Sequence, residues 1–115
     1  MKTFRELFVY QKAVEFSVRI YKVTEEFPKS EIYGLVSQIR RCSVSIPSNI
    51  AEGQRRGHKA EFIQFLRIAF GSGAELETQL LIAFRIGFIN ENNYKDLSNE
   101  LEVIMKMLNK LIKSI

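Results

Sequence analysis

Apolar residues recur at helical spacing along almost the whole chain. Three stretches interrupt them: Phe27-Pro28-Lys29-Ser30, the segment from Gly53 to Gly57, and the segment from Gly87 to Asn93. They divide the sequence into four segments, each with one apolar stripe. In the first, Val9, Ala13, Phe16, Ile20, Val23 and Phe27 alternate steps of four and three, the 3.5-residue period of bundle helices. Val14, Val18 and Tyr21 widen that stripe, and Pro28 predicts its end near Phe27.

The second stripe runs Leu35, Ile39, Cys42, Ile46 and Ile50, with Ser30 as its predicted N-cap and Glu31 in its first turn. Pro47 falls inside it. A proline there removes one backbone hydrogen bond and crowds the Ser43 carbonyl, so a kink is expected. The apolar spacing keeps its phase across Pro47, which favours a kinked helix over two separate ones. Asn49 and Glu52 follow it and are expected to satisfy the backbone groups it frees.

The third helix is expected to start near His58, with Glu61 in its first turn. Its stripe is Phe62, Phe65, Ala69, Gly73, Leu76, Leu80, Ala83 and Gly87, flanked by Leu66. The run Ala69-Phe70-Gly71-Ser72-Gly73-Ala74 is small-sided apart from Phe70. Each helical glycine costs about 1 kcal/mol relative to alanine, so close approach of another helix, from this chain or a neighbour, is the expected compensation. The fourth helix begins near Asn90, a cap before Glu91, and its stripe is Leu97, Leu101, Ile104, Leu108, Leu111 and Ile115. Lys106, Lys110 and Lys113 lie towards its C-terminal end, where the dipole favours cations. No segment has a period of two. The fold class is therefore all-α: one domain over residues 1–115, an up-down-up-down antiparallel four-helix bundle with a proline kink in helix 2.

Composition changes this picture little. Of the 115 residues, 46% are hydrophobic and 26% charged, an ordinary globular balance. A core of this size has little surplus, and oligomerisation would supplement it. No stretch approaches the ~20 apolar residues of a membrane span, and the N-terminus does not read as a signal peptide. A cytoplasmic location with no membrane partner is expected. Cys42 is the lone cysteine, which excludes an intrachain disulfide and paired-cysteine metal or redox sites; on the apolar face it reads as a small hydrophobe.

Catalytic chemistry finds little support. His58 is the only histidine, so no two-histidine metal site can form, and no nucleophile elbow is present. No Glu lies three residues before His58, and Glu75 and Glu77 point to different faces of their helix. Gly71-Ser72-Gly73 lies within a helical pattern rather than in a phosphate-binding loop. Neither enzyme activity, metal nor cofactor is expected. Charge is more informative. The net formal charge is +4, and residues 31–60 hold Arg40, Arg41, Arg55, Arg56 and Lys59 against Glu31 and Glu52. Arg41, Arg55, Arg56 and Lys59 are the candidate phosphate contacts, because arginine forks suit phosphate. A solvated face with structural ion pairs, or a surface for an acidic protein, accounts for the same residues. Arg40 flanks the second stripe and Glu75 the third, which predicts a pair across the helix 2–helix 3 interface.

Two blocks carry a resemblance. One is Ser45-Ile46-Pro47-Ser48-Asn49-Ile50-Ala51-Glu52-Gly53, and the other runs from Gly71 to Leu80, Gly-Ser-Gly-Ala-Glu-Leu-Glu-Thr-Gln-Leu. With them, and over nearly its whole length, the chain resembles the four-helix-bundle proteins encoded within intervening sequences of bacterial 23S ribosomal RNA genes. The residues that fit the pattern are Arg40, Asn49, Glu52, Gly53, Arg56, Phe62, Gly71, Ser72, Glu75 and Leu76. His58 stands where a Ser or Thr cap would be expected. The resemblance implies a left-handed up-down bundle that assembles into a ring, typically a homopentamer. It also implies similarity to the accessory proteins of diversity-generating retroelements, which bind a reverse transcriptase and nucleic acid. Two functions follow as expectations: a non-enzymatic RNA- or DNA-associated oligomer, or a scaffold for a reverse transcriptase or another protein such as a nuclease.

Overall fold

The apolar stripes account for four long helices: α1 (Phe8–Thr24), α2 (Leu35–Arg55), α3 (Lys59–Arg85) and α4 (Glu91–Ser114). The computed structural model describes residues 3–115, apart from the side chain of Glu6. No strand occurs among the described residues. Consecutive helices pack side by side, and α4 returns to α1. The fully buried residues are those of the stripes: Ala13, Phe16 and Ile20 on α1; Ile39, Ile46 and Ile50 on α2; Ala69, Leu76 and Ala83 on α3; Leu97, Leu101, Ile104 and Leu108 on α4. On α3, Leu66 enters the core, while Phe62 and Phe65 sit half-buried towards α2.

Contacts near the helix ends fix which termini meet. The Arg55 guanidinium at the end of α2 lies over the Phe4 ring just before α1, 5.2 Å from its centroid. Leu7 and Phe8 share a cleft with Lys110, Leu111 and Ser114 at the end of α4. At the other end Phe27 meets Phe88 at 5.5 Å, and Phe84 stacks on Tyr94 at 4.4 Å. These contacts place the start of α1 beside the ends of α2 and α4, and Phe27, beyond the end of α1, beside the α3–α4 turn. Arg19 of α1 and Glu100 of α4 form an ion pair of 2.6 Å along the shaft.

Several helix ends differ from the sequence expectation. α1 stops at Thr24, not Phe27: beyond it the chain tightens into bonds three residues apart, from the Glu26 N–H to the Val23 carbonyl and from the Phe27 N–H to the Thr24 carbonyl, and Phe27 packs onto Phe88. Ser30 does not cap α2. It lies in a 3-10 turn, Lys29–Glu31, and α2 begins only at Leu35, where Glu31 Oε1 accepts the Leu35 N–H at 3.2 Å. His58 occupies the N-cap of α3 without a side-chain hydrogen bond, whereas Asn90 Oδ1 caps α4 by accepting from the Asn93 N–H at 2.7 Å. α3 ends in a Schellman motif. The Phe88 N–H reaches the Ala83 carbonyl and the Gly87 N–H the Phe84 carbonyl, with Gly87 at φ 90°, a conformation that favours glycine.

α2 runs as one helix through Pro47. The carbonyl that Pro47 leaves without its helical donor is that of Ser43. Its partner is neither Asn49 nor Glu52. Ser17 Oγ, buried on α1, donates to the Ser43 carbonyl at 2.8 Å. Asn49 Nδ2 instead donates to the Ser45 carbonyl at 2.8 Å, and Glu52 pairs with Arg56 at 3.0 Å. Ser17→Val is therefore expected to cost about 1–3 kcal/mol, the penalty of an unmet buried acceptor. In a Pro47→Ala background the cost should largely vanish, since the alanine N–H can reach Ser43. A urea double-mutant cycle with no coupling between the two positions would refute this assignment.

Candidate functional site

The residues of the two sequence blocks meet along the α2–α3 seam. Ser45 Oγ and Ser72 Oγ lie 2.8 Å apart, and Asn49 Nδ2 also donates to Ser45 Oγ at 2.9 Å. A turn further along, Gly53 lies against Phe65 and Phe62. Gln79 Nε2 donates to Glu75 Oε2 at 3.3 Å. Buried Cys42 sits beside this pair, and burial, followed by the Glu75 carboxylate, pushes its thiol above its ordinary 9.0. A thiol held protonated in this way is a poor nucleophile. Gly73 is crowded by Met105, so α4 rather than α2 explains its small size; nothing lies within 4 Å of the space a Gly71 side chain would fill.

Arg40 does not pair with Glu75. Its Nε donates to Thr24 Oγ1 at 2.9 Å, its NH2 to the Tyr21 carbonyl at 3.3 Å, and its guanidinium covers the Tyr21 ring at 4.6 Å. On α1 it meets the Thr24 hydroxyl, the Tyr21 carbonyl (which also accepts the Glu25 N–H) and the Tyr21 ring together. Arg41 is the arginine that faces α3, across a cleft lined by Tyr33, Cys42, Ser45, Ser72 and Glu75. His58 is exposed at the start of α3, and Cys42 lies on α2 about 20 Å of helix before its end, so the two do not combine. Among the described residues no three His, Cys, Asp or Glu side chains are grouped to hold a metal.

The structure gathers Arg55, Arg56 and Lys59 at one end of the bundle and leaves Arg41 about 20 Å away along α2. It adds cations that the sequence reading passed over. Arg5 lies over the Phe4 ring at 4.9 Å, on the ring that Arg55 also contacts. Lys12 lies over the Phe8 ring at 5.6 Å, and Lys110 lines the adjoining cleft. Arg56 sits over Phe65 at 5.0 Å while paired with Glu52. Residues 52–61 and 102–115 contribute Arg55, Arg56, Lys59, Lys106, Lys110 and Lys113 against Glu52, Glu61 and Glu102, of which Glu52 pairs with Arg56 and Glu102 with Lys106. The opposite end mixes Lys22, Lys29, Arg85 and Lys95 with Glu25, Glu26, Glu31, Glu91 and Asp96. The signal that could have found the extra cations is topological. The packing of α1 against both α2 and α4 brings its start to their ends.

The description "23S rRNA-intervening sequence protein" fits residues 5–110. The chain belongs to that family. A crystal structure at 1.70 Å of a protein of unknown function from the S23 ribosomal protein family of Bacteroides thetaiotaomicron VPI-5482 is similar to it. The two are 31% identical with a TM-score of 0.85, over 91% of this chain and 95% of that one. No curated protein matches the chain. No helix among the described residues is long and apolar enough to cross a membrane.

Proposed function

We propose that this 23S rRNA-intervening sequence protein is a non-enzymatic, cytoplasmic bacterial protein that binds RNA through the basic end of its bundle and works as an oligomer. One observation carries the reading: Arg5, Arg55, Lys59 and Lys110 come from separate parts of the chain and converge on one end. Such a concentration suits a phosphate backbone. The RNA named in the family description makes RNA the first polymer to test. The test is binding of the purified protein to labelled RNA at rising salt. Affinity is expected to fall linearly on a log–log plot; no binding even at low salt would end this reading.

Assembly rests on separate residues. Val14, Val18, Tyr21 and Val44 are exposed and line a groove with Pro47 between α1 and α2. Ile68, Ile82 and Ile86 are exposed on α3. Apolar faces of this kind suit contact between copies, with a pentameric ring as the expected form. Val18→Asp should reduce the solution mass to that of a monomer with the helical signal intact. An unchanged mass would place the subunit contact elsewhere. The same faces suit a scaffold for a reverse transcriptase or another protein, and a captured partner that survives nuclease treatment would favour that role.

A further inference from the structure

We propose that Phe8 is a stacking platform for an unpaired base, so that the protein prefers single-stranded over duplex nucleic acid; this rests on the proposed RNA binding by the basic end. Phe8 opens α1, yet the residue is 61% exposed and lies outside the core. It borders an apolar cleft of about 350 Å³ walled by Leu7, Val9, Met107 and Leu111. Lys110 lines this cleft, and the Lys12 ammonium lies over one face of the Phe8 ring, 5.6 Å from its centroid. Cations alone would serve any phosphate backbone, single or double. An exposed aromatic ring beside an apolar cleft offers nothing to a duplex exterior, where the base faces are already stacked on one another. It offers a partner to a base whose face is free, while the flanking lysines meet the phosphates on either side of it. The charge at this end selects a polyanion, and the ring between the lysines selects a strand with unstacked bases.

Each base stacked on an aromatic side chain contributes about 1–3 kcal/mol, so losing one stack should cost roughly ten-fold in affinity. The test measures binding of a labelled single-stranded RNA of about 12 nucleotides, a length within the usual site sizes, and of the same sequence as a duplex. Wild type should bind the single strand roughly ten-fold more tightly. Phe8→Ala should lose that preference while keeping its duplex affinity and its salt slope, and Phe8→Tyr should restore it. The chain has no tryptophan, so Phe8→Trp places a unique fluorophore at the platform. Its emission should be quenched by the single strand and not by the duplex. Equal affinity of wild type for both forms, an unchanged preference in Phe8→Ala, or unquenched Trp emission overturns the proposal. So does a fall in oligomer mass for Phe8→Ala, which would make Phe8 a subunit contact. Failure of wild type to bind either RNA removes the underlying RNA reading as well, and is distinguishable because Phe8 variants are then irrelevant to it.

Discussion

Gly53→Ala is expected to lower the unfolding free energy by about 2–3 kcal/mol, although alanine is the better helix former by about 1 kcal/mol. The reason is the closeness of α3. A Cβ at position 53 would lie 2.5 Å from Phe65 Cβ, 3.2 Å from Phe65 Cγ and 3.3 Å from Phe62 Cδ1. Phe65 Cβ is fixed to its backbone, so no rotamer change relieves the clash; α3 itself must move away from α2. That movement would also strain the Ser45–Ser72 hydrogen bond further along the same seam. Gly71→Ala provides the internal contrast. Nothing lies within 4 Å of its added carbon, so it should gain about 1 kcal/mol. Urea denaturation of both variants decides the matter. A Gly53→Ala protein as stable as wild type would mean that the helices are not held this closely.

The contrast between these two glycines shows where sequence reading stops. Periodicity located all four helices, because a stripe of Leu97, Leu101, Ile104 and Leu108 can be buried only one way. It also showed that the small residues near Gly71 needed a reason. It could not say which neighbour supplied it, because a glycine has no direction in a one-dimensional pattern. The structure assigns Met105 of α4 to Gly73 and open space to Gly71. Arg40 was misread for a related cause. Residues one step from the seam can turn to either adjacent helix, and Thr24 Oγ1, the Tyr21 carbonyl and the Tyr21 ring hold Arg40 on α1. Ser17 was missed because a lone serine near an apolar stripe gives no signal until the carbonyl freed by Pro47 is seen facing it.

The candidate site was legible in part for the same reason. Arg55, Arg56 and Lys59 are neighbours in sequence and stand out as a local excess of charge. Arg5, Lys12, Lys110 and Lys113 are spread over the two ends of the chain, and only folding brings the start of α1 and the end of α4 together at the end of the bundle where Arg55 meets Phe4. Arg41 belongs to the same charge-rich sequence segment but to another part of the surface, beside Glu75 and Tyr33. Sequence proximity thus included one residue that geometry separates and omitted four that it unites.

That regrouping sets the second large effect. The triple variant Arg55→Glu, Lys59→Glu, Lys110→Glu is expected to weaken single-stranded RNA binding by about 100-fold or more at 100 mM salt. If the basic end meets about five phosphates, wild-type affinity should fall roughly 100-fold between about 50 and 200 mM salt, and neutralising three contacts should flatten the log–log slope by about 2. These three residues form no ion pair among the described residues; Arg55 does lie over the Phe4 ring, so the helical signal and urea midpoint of the triple variant are measured beside its binding, and Arg56 is left in place because it holds Glu52. Arg41→Glu is the comparison that gives the result its meaning. At about 20 Å from Arg55 along α2 it lies beyond the ~8–10 Å over which exposed charges act in physiological salt, so it should change affinity little. If Arg41→Glu weakens binding as much as the triple variant does, the RNA runs along the side of the bundle and not across its end. If the triple variant binds as wild type does, the convergence of cations at this end is solvation alone, and the exposed apolar faces of α1, α2 and α3 become the surfaces through which this protein acts.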